Sequence, residues 1–255
     1  MISRPESVAH IRHALRDGKP SIGSWIQLPD PSAAEIMGQA GYDWVAVDLE
    51  HGSIGVGQLP DIFRALELGG TLPLARLARG HRVDCKQALD AGAGGVIVPM
   101  IESAAQLADV RDECRWPPAG RRGVGFSRAN LFGRHFDAYQ VEAQSPLLVA
   151  MVEHVRAVED LDAILSVEGL DAILVGPYDL SASMGLTAQF DAPAFTAVMT
   201  RIRDACVTRR IPSGVHVVNP DRDLLTRRLD EGYQFVAFSI DTVMLRTAAE
   251  RPRLI

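Results

Sequence analysis

Short apolar runs alternate along the chain with longer stretches in which apolar residues recur every three or four positions. A short apolar run bounded by turn residues is typical of a strand buried on both faces, and the longer spacing is typical of an amphipathic helix. Eight runs predict strands at 21–28, 44–49, 72–77, 95–101, 147–153, 172–175, 214–218 and 235–240. Helices are predicted at 8–16, 32–40, 58–68, 83–91, 104–115, 158–167, 195–209, 222–230 and 242–250.

This regular alternation of strands and helices predicts the architecture. Strands that alternate with helices form a parallel sheet. Eight such units within 255 residues favour a closed barrel over an open, doubly wound sheet. The first strand is not followed by a G-x-G-x-x-G sequence, which argues against a dinucleotide-binding fold. We therefore predict an α/β protein with one domain, a (β/α)₈ TIM barrel over residues 1–255.

One stretch, 116–139, interrupts this rhythm. It is rich in glycine and arginine and is too long for an ordinary connection. Loops of this length in a compact domain are usually functional, so we expect this one to serve the site.

Composition excludes several classes of protein. The chain is 47% hydrophobic and 23% charged, as in soluble globular proteins, and its net charge of −6 gives no basic surface for nucleic acid. No apolar run approaches the length of a membrane span, and the first residues lack a signal-peptide core. Cys85, Cys114 and Cys206 are scattered and lack metal-ligand spacing. We expect reduced, packed cysteines in a cytoplasmic protein with neither nucleic-acid nor membrane partners.

Two carboxylates follow neighbouring predicted strands. Glu153 and Asp179 lie one βα unit apart, so a barrel would place them side by side at its C-terminal end, where active sites of such barrels form. Two oxygen ligands with open positions suit a hard divalent ion such as Mg²⁺ or Mn²⁺. The alternative is that each carboxylate caps the helix that follows it.

The strand at 44–49 runs directly into further polar residues. His51 follows Asp48 and Glu50, and an acidic partner could orient it as a general base. We expect Asp48 to be that inward partner, because Asp48 and Glu50 share one strand face. A purely structural hydrogen bond is the alternative role for His51. His154 directly follows Glu153 and is expected to point elsewhere.

Arg76 lies within an apolar strand, where a buried guanidinium needs an anionic partner. A substrate carboxylate or enolate could be that partner, and the alternative is an ion pair with Asp48 or Glu50. The only lysines, Lys19 and Lys86, are not at strand ends, so a Schiff-base mechanism lacks a nucleophile. Together the residues suit a metal site that chelates a 2-oxo acid and stabilises its enolate.

A set of short motifs, in order along the chain, resembles a known family. The motifs are Ala40-Gly41-Tyr42-Asp43-Trp44, Asp48-x-Glu50-His51, Leu89-Asp90-Ala91-Gly92-Ala93, Val98-Pro99-Met100, Arg121-Arg122-Gly123-Val124, Glu153 and Gly176-Pro177-Tyr178-Asp179-Leu180-Ser181. Over about residues 23–247 the chain is similar to the HpcH/HpaI metal-dependent pyruvate aldolases. Each motif alone is weak, and their combination is specific.

The resemblance implies reversible cleavage of a 4-hydroxy-2-oxo acid into pyruvate and an aldehyde through a metal-bound enolate. It implies that Glu153 and Asp179 bind the metal, with Mg²⁺ or Mn²⁺ expected and Co²⁺ or Zn²⁺ possible. It also implies that His51 is the base, that Asp90 supports its basicity, with Asp48 in the catalytic set, and that Arg76 stabilises the enolate.

The resemblance further implies a substrate pocket and an assembly. Substrate contacts are expected from Arg76, Met151, Gly176, Pro177, Tyr178 and Asp179. Met151 stands where the best-known members have a glutamine, and Tyr178 where they have a small residue. The loop at 116–139 is expected on the aldehyde side of the site. Family members form hexamers, as trimers of dimers, that exchange a C-terminal helix, here 242–248.

Other functions remain open on the same fold. An acyl-CoA lyase would need a basic rim for the nucleotide, for which Arg121, Arg122 and Arg128 are candidates. A 2-oxo-acid decarboxylase would use the same metal site. A non-catalytic barrel that binds a phosphorylated ligand would need no metal, so sensitivity to a chelator separates it from the others.

Overall fold

The computed structural model describes residues 3–251, and its eight parallel strands close into a barrel in chain order, which confirms the predicted (β/α)₈ fold. The strands are β1 Ser21–Ile26, β2 Trp44–Asp48, β3 Leu72–Arg76, β4 Gly95–Val98, β5 Leu147–Val152, β6 Ala172–Val175, β7 Ser213–Val217 and β8 Phe235–Ile240. The helices are α1 Arg4–Arg16, α2 Pro31–Gln39, α3 Leu59–Leu68, α4 Arg82–Ala91, α5 Ala104–Cys114, α6 Phe136–Glu142, α7 Val155–Glu159, α8 Leu161–Ile164, α9 Pro177–Ser183, α10 Pro193–Arg209, α11 Arg222–Asp230 and α12 Asp241–Ala248.

Alternate residues of each strand face the inside of the barrel. In β2, Trp44 and Ala46 join the interior cluster, whereas Val45 and Val47 pack outward against the helices. The same alternation places Asp48 inside, at the last position of the strand. Polar residues at strand ends therefore project into the mouth at the C-terminal end of the barrel.

The other end of the barrel is closed. Helix α1 packs Ile11 and Leu15 into the interior cluster from below. Above them Trp44 stacks on Phe235, with ring centroids 4.4 Å apart. A Cβ on Gly23 would overlap the Trp44 ring, so a glycine is required there. The packed interior leaves the C-terminal mouth as the open end.

Several element bounds differ from prediction. Strands β1 and β4 end at Ile26 and Val98, two and three residues early. The predicted helix at 158–167 is two short helices, α7 and α8, and helix α1 begins before the predicted residue 8 because Ser3 caps it. Helix α9 was not predicted. It is short, and Pro177 at its first position resembles a turn in the sequence.

The 116–139 segment is structured and lies at the closed end. It contains a 3₁₀ turn at Arg128–Gly133 and leads into α6. Arg128 Nη1 donates to the carbonyl oxygen of Ala91, at the far end of α4, over 2.9 Å. The expectation that this segment shapes the aldehyde side of the site is therefore wrong within a single chain. The sequence pattern could not show which end of the barrel the segment covers.

The last described helix rests on its own barrel. Asp241, at the start of α12, accepts hydrogen bonds from the backbone N–H groups of Gln27 and Leu28, both over 2.9 Å. Exchange of this helix between subunits stays a prediction.

The described part of the chain also bears on the expectations about membrane spans and cysteines. Between residues 3 and 251 no helix is both long and apolar enough to cross a bilayer. Cys85, Cys114 and Cys206 are all buried and unbridged, as predicted for packing residues.

Candidate active site

A layer of polar side chains lies at the open end of the barrel, above the apolar interior. The ends of β1, β2, β3 and β5 bring Gln27, Asp48, Arg76 and Glu153 into this layer, and β7 adds His216. All five are polar side chains that are partly or fully buried. The layer is the candidate active site.

Arg76 is held in a fork by Asp48. Its Nε and Nη2 groups donate to the two Asp48 carboxylate oxygens over 2.9 and 2.6 Å. Gln27 donates a third hydrogen bond to Asp48, over 2.7 Å, and the guanidinium lies over the Trp25 ring at 4.7 Å. The predicted alternative for Arg76, an ion pair with Asp48, is thus present in the structure. A guanidinium has five N–H donors, so part of it is left for a ligand.

This arrangement sets the protonation state of Asp48. Burial acts to raise its pKa, but the hydrogen bonds and charge of Arg76, with the Gln27 hydrogen bond, lower the pKa below its usual value. Asp48 is therefore a carboxylate that fixes the guanidinium in place.

His51 lies at the rim, with its side chain 61% exposed, and its acidic neighbour is Glu50. The distance from His51 Nε2 to Glu50 Oε2 is 3.8 Å, whereas Asp48 accepts only from the His51 backbone N–H, over 3.1 Å. The prediction that Asp48 is the partner of the imidazole is wrong, because β2 ends at Asp48 and the chain turns there. Glu50 also lies 3.2 Å from Arg76 Nη1. Burial raises the Glu50 pKa, and the charges of Arg76 and His51 oppose that shift.

Glu153 is a buried carboxylate held by a strained backbone. It is 2% exposed and accepts a hydrogen bond from the Met100 N–H over 2.6 Å. Met100 has a positive φ of 49°, which is uncommon for a residue other than glycine and points its amide at the carboxylate. Burial raises the pKa of Glu153 to about 7, and the charges of Glu50 and Asp179 add to the shift.

Asp179 lies close enough to Glu153 for its charge to raise the Glu153 pKa, which supports the predicted pairing of the two carboxylates. It occupies the first turn of α9 and is exposed. The helix-capping alternative does not hold for Glu153, because His154 caps α7 instead, accepting from Arg156 N–H at Nδ1 over 3.2 Å. Gly176 leaves room beside Glu153, where a Cβ would overlap the carboxylate.

These donors fit a hard divalent cation. Besides burial, the negative charges of Glu50 and Asp179 raise the pKa of Glu153, and the charge of Asp179 also raises the pKa of Glu50, so the mouth carries more negative charge than Arg76 offsets nearby. Carboxylate oxygens are the ligands that Mg²⁺ and Mn²⁺ prefer. Within residues 3–251 no group of three or more His, Cys, Asp or Glu side chains is arranged to ligate one ion. A cation held by Glu153 and Asp179 would therefore complete its shell with water or substrate.

The remaining predicted pocket residues surround this pair. Met151 is buried directly below Glu153 on the inward face of β5. Pro177 begins α9, and Tyr178 is 55% exposed at the mouth, packed edge-on against Phe190 at 5.0 Å.

Asp90 does not join the site within one chain. It lies near the end of α4, at the closed end of the barrel, and the charged groups that act on it are Arg122 and Lys86. Burial raises the pKa of Asp90, and those two cations oppose the shift.

Sequence reasoning missed two residues of the layer, Gln27 and His216, and the backbone N–H of Met100 that donates to Glu153. The alternation of inward positions in β1 and β7 could have identified Gln27 and His216. Nothing in the sequence signals the role of the Met100 amide, which depends on its backbone angle.

Comparisons with known proteins agree with this geometry. The sequence model of the family described as HpcH/HpaI aldolase/citrate lyase matches residues 21–248. The chain is 36% identical over 247 residues to a hydroxypyruvate/pyruvate aldolase from Roseobacter denitrificans, covering 94% of each chain. It is 38% identical to a 2-keto-3-deoxy-L-rhamnonate aldolase from Salmonella gallinarum, covering 95% of this chain and 91% of the relative.

A solved structure extends the agreement to the fold. A family member from Burkholderia cenocepacia superimposes with a TM-score of 0.88 at 31% identity, covering 94% of this chain and 95% of that one. The resemblance seen in the motifs is thereby confirmed, and the chain belongs to the HpcH/HpaI aldolase/citrate lyase family.

Proposed function

We propose that the protein is a divalent-metal-dependent aldolase that reversibly cleaves a 4-hydroxy-2-oxo acid into pyruvate and an aldehyde. The observation that carries the proposal is the buried Glu153 beside Asp179, in the same barrel mouth as Arg76 and His51. Family membership and the aldolase names of the relatives support the reaction type.

Arg76 binds and orients the 2-oxo acid. Its fork with Asp48 fixes the guanidinium plane, so the N–H groups that remain point in a set direction. A positive charge held in place in a partly buried site stabilises the negative charge that develops on the substrate oxygen. Asp48 and Gln27 are positioning residues in this scheme, because they act on the substrate only through Arg76.

His51 moves the proton. In the synthetic direction it takes a proton from the methyl carbon of pyruvate, and that carbon then forms the new bond to the aldehyde. In cleavage the same imidazole returns the proton. Its exposed position at the rim and the neighbouring Glu50 carboxylate, 3.8 Å away, suit a base that exchanges protons with water.

Glu153 and Asp179 would hold Mg²⁺ or Mn²⁺. The ion would supply Lewis-acid stabilisation of the charge on the 2-oxo group. Gly176 and Tyr178 flank this position and are proposed substrate contacts, with Pro177 and Met151 shaping the wall and floor.

A homo-oligomer is part of the proposal. Asp90 reaches a His51 side chain only if it comes from another copy of the chain, because it lies at the closed end of its own barrel. The 116–139 segment also lies at the closed end of its own barrel, so it would contact a mouth only in another copy of the chain.

The acyl-CoA alternative finds no support in the arginines expected to form its rim. Arg121 is paired with Glu113 and Asp109, Arg122 is buried against Tyr139, and Arg128 is paired with Glu67. All of them lie on the closed side of the barrel. A nucleotide at the mouth of the same chain would not meet them.

Solvent deuterium exchange into the methyl group of pyruvate, followed by NMR, tests the proposal without knowledge of the aldehyde. We expect exchange that requires Mg²⁺ or Mn²⁺ and stops when EDTA is added. Exchange that EDTA leaves unchanged would overturn the metal dependence, and no exchange with any divalent ion would overturn pyruvate as the nucleophile.

Replacement of His51 by alanine should slow this exchange by about 100-fold or more, because general base catalysis contributes at least that factor. Metal affinity, measured by Mn²⁺ electron paramagnetic resonance, should stay within about twofold of the wild-type value. As a matched control, His13→Ala removes an exposed histidine of α1 and should exchange normally. Wild-type exchange in His51→Ala would remove this residue as the base.

A further inference from the structure

His216 is a polar residue of the barrel interior to which the proposed function gives no role. It lies on β7, close enough to Arg76 and Asp48 for both charges to act on it. Its ring packs edge-on against Trp25 at 5.9 Å, and the face of the same indole carries Arg76. The side chain is half-buried, whereas Trp44 and Phe235 deeper in the barrel are fully buried. Its accessible part therefore opens toward the mouth.

A backbone carbonyl fixes the tautomer of this imidazole. His216 Nε2 lies 3.3 Å from the carbonyl oxygen of Ser239. A carbonyl oxygen can only accept, so Nε2 carries the hydrogen and Nδ1 is an acceptor in the neutral ring. No residue between 3 and 251 hydrogen-bonds to Nδ1.

The strand that supplies the carbonyl is distorted at that point. Ser239 has a positive φ of 57°, and the pairing of β8 with β1 shifts register between Gly23 and Trp25. The Ser239 hydroxyl is buried without a hydrogen-bond partner in the described structure. Strain and an unpaired polar group persist where the surrounding fold imposes them, and such positions cluster at functional sites. Here they accompany a carbonyl placed against His216.

The imidazole stays neutral in the working range of pH. Burial lowers the His216 pKa to about 4, the Ser239 hydrogen bond opposes that shift, and the charge of Arg76 adds to it. A neutral ring with Nε2 already committed cannot donate a proton to a substrate or pair with an anion. It can only accept a hydrogen bond at Nδ1.

We infer that His216 is a specificity-determining residue whose Nδ1 accepts a hydrogen bond from a hydroxyl group of the 2-oxo acid held at Arg76. The inference rests on the proposed function. Pyruvate carries a methyl group at C3 and has no donor to offer, whereas hydroxypyruvate carries a hydroxyl there. The site therefore favours a 3-hydroxy-2-oxo acid as the nucleophilic half.

The reaction is the same aldol addition with one more hydroxyl group. A proton leaves C3 of hydroxypyruvate for the base, C3 bonds to the carbonyl carbon of the aldehyde, and the aldehyde oxygen gains a proton. The product carries hydroxyl groups at C3 and C4, and nothing is oxidised or reduced. His216 takes no proton in any step.

Kinetic discrimination tests the inference. The ratio of kcat/KM for hydroxypyruvate to that for pyruvate, with one common aldehyde, should fall about fivefold in His216→Leu, which is the usual worth of one neutral hydrogen bond. The pyruvate value itself should change by less than about twofold. His216→Asn, whose amide oxygen can occupy the place of Nδ1, is the matched control and should recover most of the ratio. An unchanged ratio, or an equal fall with both substrates, would overturn the inference.

A second measurement uses the wild-type protein and needs no variant. In protein labelled with ¹⁵N at histidine, the Nδ1 resonance of His216 should have the position of an unprotonated nitrogen at neutral pH. Addition of hydroxypyruvate should move it upfield, and pyruvate should not. Equal responses to the two ligands, or none to either, would contradict the proposed contact. Failure of pyruvate exchange would instead count against the aldolase function itself, so the two failures can be told apart.

Discussion

Replacement of Glu153 by glutamine should reduce metal-dependent deuterium exchange into pyruvate by about 1,000-fold or more. Glu153 is one of two carboxylates proposed to hold the ion, and the neutral amide cannot replace its charge. Loss of the ion removes several kcal/mol of charge stabilisation, and each 1.36 kcal/mol is a tenfold change in rate. The amide still fits, because the change is isosteric and the Met100 N–H retains an oxygen to donate to.

Direct measurement of the metal separates this expectation from a general loss of structure. Mn²⁺ affinity, followed by electron paramagnetic resonance, should fall at least 100-fold in Glu153→Gln. Glu159→Gln changes an exposed glutamate of the adjacent α7 and should bind Mn²⁺ as the wild type does. Glu153→Gln with wild-type Mn²⁺ affinity would show that the ion, if one acts, is held elsewhere.

The raised pKa of Glu153 makes a linked prediction about pH. A carboxyl whose pKa is about 7 in the fold and near 4.5 when unfolded stabilises the fold at low pH, and that contribution is lost as pH rises from about 4.5 to about 7. Relative to the wild type, metal-free Glu153→Gln should therefore gain about 3 kcal/mol of unfolding free energy between pH 4.5 and 8. Urea denaturation at both pH values measures it. A difference that does not change with pH would contradict the raised pKa.

The fold could be predicted from the sequence because each strand is a short apolar run that ends in a turn. The bounds were less certain where tertiary contacts decide them. Strand β4 ends at Val98 because the backbone turns at Met100, whose N–H group donates to Glu153. The apolar Pro99-Met100-Ile101 sequence gives no sign of that turn. Helix α9 was missed because only its contacts with the barrel show that a short, proline-led segment is helical.

The sequence predicted the carboxylates and the arginine of the candidate site better than it predicted which of these side chains contact one another. Alternation along β2 correctly placed Asp48 on the inside of the barrel, and the apolar strand around Arg76 correctly indicated a guanidinium that needs an anionic partner. Alternation could not predict that His51, past the end of β2, would lie beside Glu50. Asp90 was assigned to the site only by the family resemblance. It lies near the end of α4, and a helix that returns from the mouth carries that residue to the closed end of its own barrel, away from His51.

The ion pair between Asp48 and Arg76 should contribute both to stability and to activity, and variants can separate the two. Asp48→Asn leaves a half-buried guanidinium without its fork, which typically destabilises a protein by about 3–5 kcal/mol. We expect the lower end of that range, because Glu50 lies 3.2 Å from Arg76 Nη1 and still offers a negative charge. Urea denaturation gives the change in unfolding free energy, and pyruvate exchange gives the change in rate.

Arg76→Gln should destabilise the protein more than Asp48→Asn does, because it leaves two carboxylates, Asp48 and Glu50, without their cation. The double variant Asp48→Asn/Arg76→Gln pairs two neutral amides and should recover much of the stability lost in Arg76→Gln. It should recover none of the exchange activity, because no guanidinium remains to bind the 2-oxo acid. Additive losses of stability in the double variant would show that the fork contributes little to folding. Exchange at the wild-type rate in either variant that lacks Arg76 would show that the enolate is stabilised without it.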